Sequence, residues 1–201
     1  MSDRPSTAGY AEEADTLAKA YESLAFADVH RKVLHLIPAS PCRVLDIGAG
    51  TGRDAAGLAR LGHAVTAIEP TAELRAHGLR LHADVAIEWI DDGLPELAQV
   101  RGRQFDVVLL TAVWMHLDED ERRIAMSAVA DLIAPNGLMT MTLRHGPVPE
   151  GRRMFDVSGA ETSALATRHG LATLLDLTGA DEQRRAGVTW TRLAFRRPSP
   201  T

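Results

Sequence analysis

The residues best placed to do chemistry lie in Asp46-Ile47-Gly48-Ala49-Gly50-Thr51-Gly52-Arg53 and at a few polar positions downstream. Glycines at alternate positions let a turn adopt positive φ and let a ligand touch the main chain with no Cβ between. The small-residue run after the turn, Ala55-Ala56-Gly57-Leu58-Ala59-Arg60-Leu61, reads as a helix. Its first turn would offer unpaired N–H groups and a partial positive charge. Glu69 stands where an acidic side chain, about twenty residues beyond such a turn, meets a ribose diol. A carboxylate there accepts from both hydroxyls, at ~1.5–3 kcal/mol for each charged hydrogen bond.

The elements that must hold these residues follow from periodicity. The apolar run at 43–47 reads as a buried strand, and Gly62 caps the helix that follows the turn. A second strand over 64–68 ends at Glu69-Pro70, a helix runs over 72–81, and a third strand covers 86–90. Phe105 to Thr111 is too apolar for an edge and belongs in the centre of a parallel sheet. Asp118 with Glu121 starts a helix that runs to about Ile133. Pro135-Asn136-Gly137 then turns into a strand over 138–143, and a polar loop runs from Arg144 to about Val157. Ser158 with Glu161 opens a helix closing at Gly170, and strands over 171–177 and 188–196 finish the chain. Upstream, apolar spacing from Tyr10 to Ile37 predicts two helices stopped by Pro38 and Pro41, while polar residues 1–9 are expected to fray. Alternating strands and helices predict an α/β fold.

Two kinds of site use a turn of this kind. The dinucleotide fingerprint is G-x-G-x-x-G; here the pattern is G-x-G-x-G, and Arg53 occupies the third-glycine position. With Asp46 before the turn, Glu69 after the second strand, Asp91-Asp92-Gly93-Leu94-Pro95 after the third and Phe105 to Leu117 at the fourth, the chain resembles class I S-adenosylmethionine (SAM)-dependent methyltransferases. The resemblance covers most of the chain, with its specific motifs between Val44 and Leu143. It implies a three-layer Rossmann-like fold: a seven-stranded, mostly parallel sheet with an antiparallel last strand and helices on both faces. It also implies a single domain over 1–201, with an N-terminal helical lid at 1–38 and a SAM-binding core at 43–197. The turn residues Asp46, Gly48, Ala49, Gly50, Gly52 and Arg53 are expected around the cofactor, with Glu69 on the ribose and Thr111 at the end of strand four. Asp91, or else Asp92, is expected to accept from the adenine amino group. Tyr10 and Tyr21 are candidates to reach the carboxylate or sulfonium. No metal is expected.

Methyl transfer from a sulfonium is an in-line displacement, so alignment is the main task and can supply as much as ~7–11 kcal/mol. A base is needed only if the acceptor must lose a proton. Candidates are His116 after strand four and His145 after strand five, with Arg144 as an orienting or anion-binding group. Thr111-Ala112-Val113-Trp114 lacks the Asn/Asp-Pro-Pro-Tyr set of many amine and amide methyltransferases, and Cys42 precedes the turn, the wrong place for a cytosine-methylating nucleophile. No carboxylate or amide pair follows strands four and five, which disfavours a Mg-dependent site. A small molecule with an O, N or S nucleophile is the expected acceptor. A protein or RNA acceptor, a silent SAM-binding module and a nicotinamide oxidoreductase are the alternatives, the last disfavoured by Arg53 and the absence of Tyr-x-x-x-Lys.

Composition agrees. A 201-residue chain that is 45% hydrophobic and 24% charged can bury a real core. A net charge of −5 argues against DNA as partner. No apolar run is long enough for a bilayer and no signal peptide is read, so a cytoplasmic monomer or homodimer is expected.

Overall fold

The computed structural model describes residues 4–181 and 183–199. An N-terminal segment carries α1 (Ala14–Glu22) and α2 (Phe26–His30), flanked by single 3-10 turns at Pro5–Thr7 and Leu34–Leu36. The body follows as β1 (Arg43–Ile47), α3 (Arg53–Arg60), β2 (Ala64–Ile68), α4 (Ala72–Leu81), β3 (Ile87–Ile90), β4 (Phe105–Thr111), α5 (Glu119–Leu132), β5 (Ile133–His145), α6 (Gly159–Arg168), β6 (Ala172–Ala180) and β7 (Thr189–Arg196). The strands form one seven-stranded sheet in the order β3-β2-β1-β4-β5-β7-β6. β1 to β5 pair in parallel, and β7 runs antiparallel to both β5 and β6. This is the expected Rossmann-like architecture.

β4 lies at the middle of the order and buries Val107, Val108, Leu109 and Leu110 completely. Its pleat sends alternate residues into two cores. Val108 and Leu110 join Leu45, Ile47 and the apolar stripe of α5, whereas Val107 and Leu109 join Val44, Val65 and the Ala55–Leu58 face of α3. α5 begins in a reciprocal cap: Asp118 accepts from the Glu121 N–H at 2.9 Å, and Glu121 accepts from the Asp118 N–H at 2.8 Å.

Three expectations need correction. β5 starts at Ile133, directly after α5, rather than at Leu138. Asn136 takes φ 61°, its N–H donates to Arg197 O at 2.8 Å, and Gly137 O accepts from the Arg197 N–H at 3.0 Å. The presumed turn is thus a kinked strand start, paired with the residue after β7. Of residues 1–9, expected to fray, 1–3 lie outside the described residues and 4–9 are pinned: Arg4 donates to the Gly93 and Leu94 carbonyls, both at 2.9 Å, and to Asp92 at 3.2 Å. The two N-terminal helices are short because the chain turns at Ser23–Ala25 and so brings Phe26 onto α3.

That contact fixes the N-terminal segment on the body. A Cβ added at Gly57, inside α3, would lie 2.4 Å from the Phe26 ring. Helix propensity alone favours Gly→Ala by about 1 kcal/mol. Overpacking a tight contact costs roughly 1–3 kcal/mol, so the clash wins. Gly57→Ala is expected to lower the unfolding free energy in urea, and Phe26→Ala in the same chain should recover part of the loss. A more stable Gly57→Ala protein would mean that α2 does not rest there.

Candidate functional site

β1 and β4 are central parallel strands, so the turns at their C-terminal ends face one crevice, where open α/β sheets bind ligands. Gly48, Gly50 and Gly52 have φ of 68°, 58° and 83°. A side chain at Gly48 would meet Val113, from the turn after β4, at 2.5 Å. One at Gly52 would meet the Trp89 ring at 2.7 Å. At Gly50 the nearest atoms belong to Tyr21, 3.5 Å from where a Cβ would stand. Gly48 and Gly52 are therefore packing glycines, and Gly50 leaves bare main chain toward the crevice. Sequence reasoning missed Trp89; its signal is Gly78 on α4, where an added Cβ would also strike that ring.

The Glu69 carboxylate bridges the ends of β1 and β2. Its Oε2 accepts from the Gly50 N–H at 2.7 Å and its Oε1 from the Thr71 N–H at 2.7 Å. Glu69 is buried, and burial pushes its pKa up although both main-chain bonds favour the charged form. Each oxygen retains acceptor capacity. Asp46 is buried, with one carboxylate oxygen lacking any hydrogen-bond partner among the described residues. Burial and the neighbouring Asp54 charge raise its pKa well above the usual carboxylate range. Burial would raise Asp54 too, yet its contacts to His30 Nε2 at 2.8 Å and Arg53 Nε at 2.7 Å outweigh that and hold it low.

One cavity of about 350 Å³ runs from this cradle past Thr111 and Ala112 to the far side of the sheet. Mostly apolar walls with a few polar groups are usual for small-molecule sites, whose volumes run ~300–1,000 Å³. Of the expected donor-side residues, Asp46, Gly48, Ala49, Gly50, Arg53, Glu69, Thr111, Tyr10 and Tyr21 line it. Asp91 and Asp92 do not. Asp91 is turned outward to Arg75 at 2.9 Å, and the buried Asp92 is filled by Arg4 and the Gly93 and Gln99 N–H groups. At that position Gly93 and Leu94 face the cavity instead. Gly52 lies behind it as the N-cap of α3.

At the other end His116 and Arg144 line the cavity and His145 does not. The pleat of β5 is the reason: Thr142 and Arg144 share the cavity face, and His145 is on the opposite one, against Thr191 Oγ1 at 2.8 Å. His116 is buried, with Nδ1 2.7 Å from Arg153 O and Nε2 2.9 Å from the Tyr10 hydroxyl. A carbonyl only accepts, so Nδ1 carries the proton and Nε2 of the neutral ring accepts from Tyr10. Burial lowers the His116 pKa below 6.5, against the Arg153 carbonyl bond that raises it. Burial likewise raises the Tyr10 phenol. The pair is a neutral imidazole facing a neutral phenol. Arg152 stacks over the Tyr10 ring at 4.1 Å and pairs with Glu13, joining the loop after β5 to the N-terminal segment. Among the described residues no group of three or more His, Cys, Asp or Glu is placed to hold a metal, and no helix is long and apolar enough to cross a membrane.

Residues 44–137 match the model of a family described as a methyltransferase domain. Uncharacterized methyltransferases of Mycobacterium tuberculosis and Mycobacterium bovis are 30% identical over 128 residues, 60% of this chain and 64% of theirs. A ubiquinone biosynthesis O-methyltransferase of Xanthomonas oryzae pv. oryzae is 34% identical over 52% of this chain and 44% of its own. The chain therefore spans less than two thirds of these relatives. Among solved structures, the fold matches Burkholderia thailandensis 1,6-didemethyltoxoflavin-N1-methyltransferase with bound 1,6-didemethyltoxoflavin and S-adenosylhomocysteine (TM-score 0.68, 20% identity, 94% of this chain and 90% of that one). It also matches N-methyltransferase NodS of Bradyrhizobium japonicum in complex with S-adenosylhomocysteine (TM-score 0.67, 14% identity, 87% and 86%).

The unpartnered carboxyl of Asp46 has a measurable consequence. A folded-state pKa raised above the unfolded value favours folding at low pH, and that contribution is lost as pH rises from about 4 toward the folded pKa. Asp46→Asn keeps an acceptor for the Ala55 N–H and abolishes the titration. The melting temperature of the variant relative to the parent is expected to increase from pH 5 to pH 8. A difference independent of pH would show that Asp46 is not raised.

Proposed function

We propose that this protein transfers a methyl group from SAM to an O, N or S nucleophile of a small molecule; the match of residues 44–137 to a methyltransferase-domain model and the fold shared with solved methyltransferases support the reading. The observation that carries the reading is a single cavity joining the Gly50 cradle to the His116–Tyr10 pair.

The residues present fit the donor. Glu69 offers carboxylate lone pairs for a diol, Gly50 offers bare main chain, and Asp46, with one oxygen unpartnered among the described residues, lines the same space. Arg53, Thr111, Tyr10 and Tyr21 complete that end, and Gly93 and Leu94 take the place expected of Asp91 for the base. The bound donor supplies an electrophilic methyl on a sulfonium. The protein's own work is alignment and proton removal. His116 Nε2 takes the acceptor's proton, either directly or through the Tyr10 hydroxyl, and the Arg153 carbonyl holds the ring in the required tautomer. Its low pKa keeps that nitrogen free at neutral pH. The N-terminal segment and the loop after β5 cover the site, and the cavity's size favours a small molecule over a protein or RNA chain.

S-adenosylhomocysteine at a hundred times its Kd should stabilise the protein by ~2.7 kcal/mol in a thermal melt. A shift with NAD and none with S-adenosylhomocysteine overturns the proposal. Glu69→Ala would strand the Gly50 and Thr71 N–H groups, so Glu69→Gln is the cleaner variant. It should weaken S-adenosylhomocysteine by about tenfold or more in calorimetry. With an acceptor found by screening labelled donor, His116→Asn should lower kcat by roughly 10²–10⁴ while donor affinity is kept. The parent's kcat should fall only as pH drops below about 6.5, because a depressed His pKa keeps the free base at higher pH.

A further inference from the structure

We propose that the acceptor carries a carboxylate, and that the Arg144 guanidinium holds it beside His116. The inference deepens the methyltransferase reading and rests on it. The acceptor end of the cavity is rich in cations: Arg144, Arg152, Arg185 and Arg192 all line it. The carboxylates near them are spoken for. Asp181 takes Arg185 through both oxygens, at 2.7 and 3.0 Å, and also the Trp190 indole N–H at 2.7 Å. Glu13 pairs with Arg152.

Arg144 differs from Arg152 and Arg185, which pair with Glu13 and Asp181. Its guanidinium donates to the Pro147 carbonyl at 2.8 Å, and among the described residues no carboxylate lies within ion-pair distance of it. Its Nε is buried and has no hydrogen-bond partner among those residues. Burial and the nearby Arg185 charge both make its own charge harder to hold. A partly buried guanidinium with an unpartnered Nε–H suits a planar anion, because a guanidinium edge can present two parallel N–H donors to two carboxylate oxygens. The placement is right for chemistry. Arg144 and His116 line one cavity, and the Arg144 charge acts on both His116 and Tyr10, so an anion bound to it shares the cavity with the base. Met154, Trp190 and Leu117 on the same walls favour an apolar body for the rest of the molecule.

The test uses full-length protein saturated with S-adenosylhomocysteine and titrated calorimetrically with benzoate, phenylacetate, the corresponding amides and inorganic phosphate. The acids are expected to bind about tenfold or more tightly than their amides. Arg144→Gln should erase that preference, and Arg144→Lys should restore part of it. S-adenosylhomocysteine affinity should stay unchanged in both variants, which reports that they are folded. Equal binding of acid and amide, phosphate binding ahead of the acids, no binding of any acid, or a preference surviving in Arg144→Gln each overturn the carboxylate assignment. Failure of the parent protein to bind S-adenosylhomocysteine is a separate result and overturns the reading beneath it.

Discussion

A buried carboxylate can persist only if main-chain or side-chain donors replace the water it has lost, and Glu69 meets that demand with the N–H groups of Gly50 and Thr71. Those bonds tie the glycine turn after β1 to the end of β2. The Gly48 and Ala49 N–H groups tie the turn to β2 as well, donating to Ile68 O at 2.8 and 2.9 Å. The cradle is therefore held by the same carboxylate that lines the cavity. An alanine at Glu69 would damage the shape of the site along with its chemistry, because two buried donors would lose their acceptor.

The N-terminal segment is continuous with this cradle. Tyr21 covers Gly50 with its ring and accepts from Arg53 with its carbonyl, while Thr51 donates to Glu22 at 2.6 Å. Behind them, His30 meets Asp54 in a buried contact, and Phe26 fills the notch at Gly57. From the opposite side Arg152 stacks on Tyr10. Cover and cradle share side chains, so the cover cannot shift without breaking charged contacts at the turn. Buried pairs of this kind cost several kcal/mol to break singly, which favours one defined closed arrangement.

The sheet was legible because its signals are local. β2, α4 and β4 begin and end at the residues that periodicity predicts, and the Asp118–Glu121 cap is written in the sequence. Long-range pairing was not legible. Nothing around Asn136 announces that it bonds across to Arg197, and nothing near Arg4 announces Gly93. The site divides in the same way. Glu69 and the glycines are readable by spacing from one turn. Arg144 and His145 are adjacent in sequence, and only the register of β5 sends the first to the cavity and the second away. Asp91 and Asp92 look interchangeable as text, yet one serves Arg75 on the surface and the other caps a loop. The partnership of Tyr10 with His116 joins residues 106 positions apart and leaves no trace in composition.

This division explains what likeness to other proteins can carry. The family match ends at residue 137, and within it lie the glycine turn, Glu69, Gly93, Thr111 and His116. Arg144, Arg152, Trp190 and Arg192 lie beyond it. The glycine-turn end is made largely of main-chain groups with the Glu69 and Asp46 carboxylates, so many sequences can build such an end on the same strand ends. The far end joins His116 and Tyr10 to side chains from β5, β7 and their loops, where one substitution changes charge or shape. A match confined to the glycine-turn end therefore says little about the other end, and the proposed acceptor has to be read from the charges and walls of this chain's own far end.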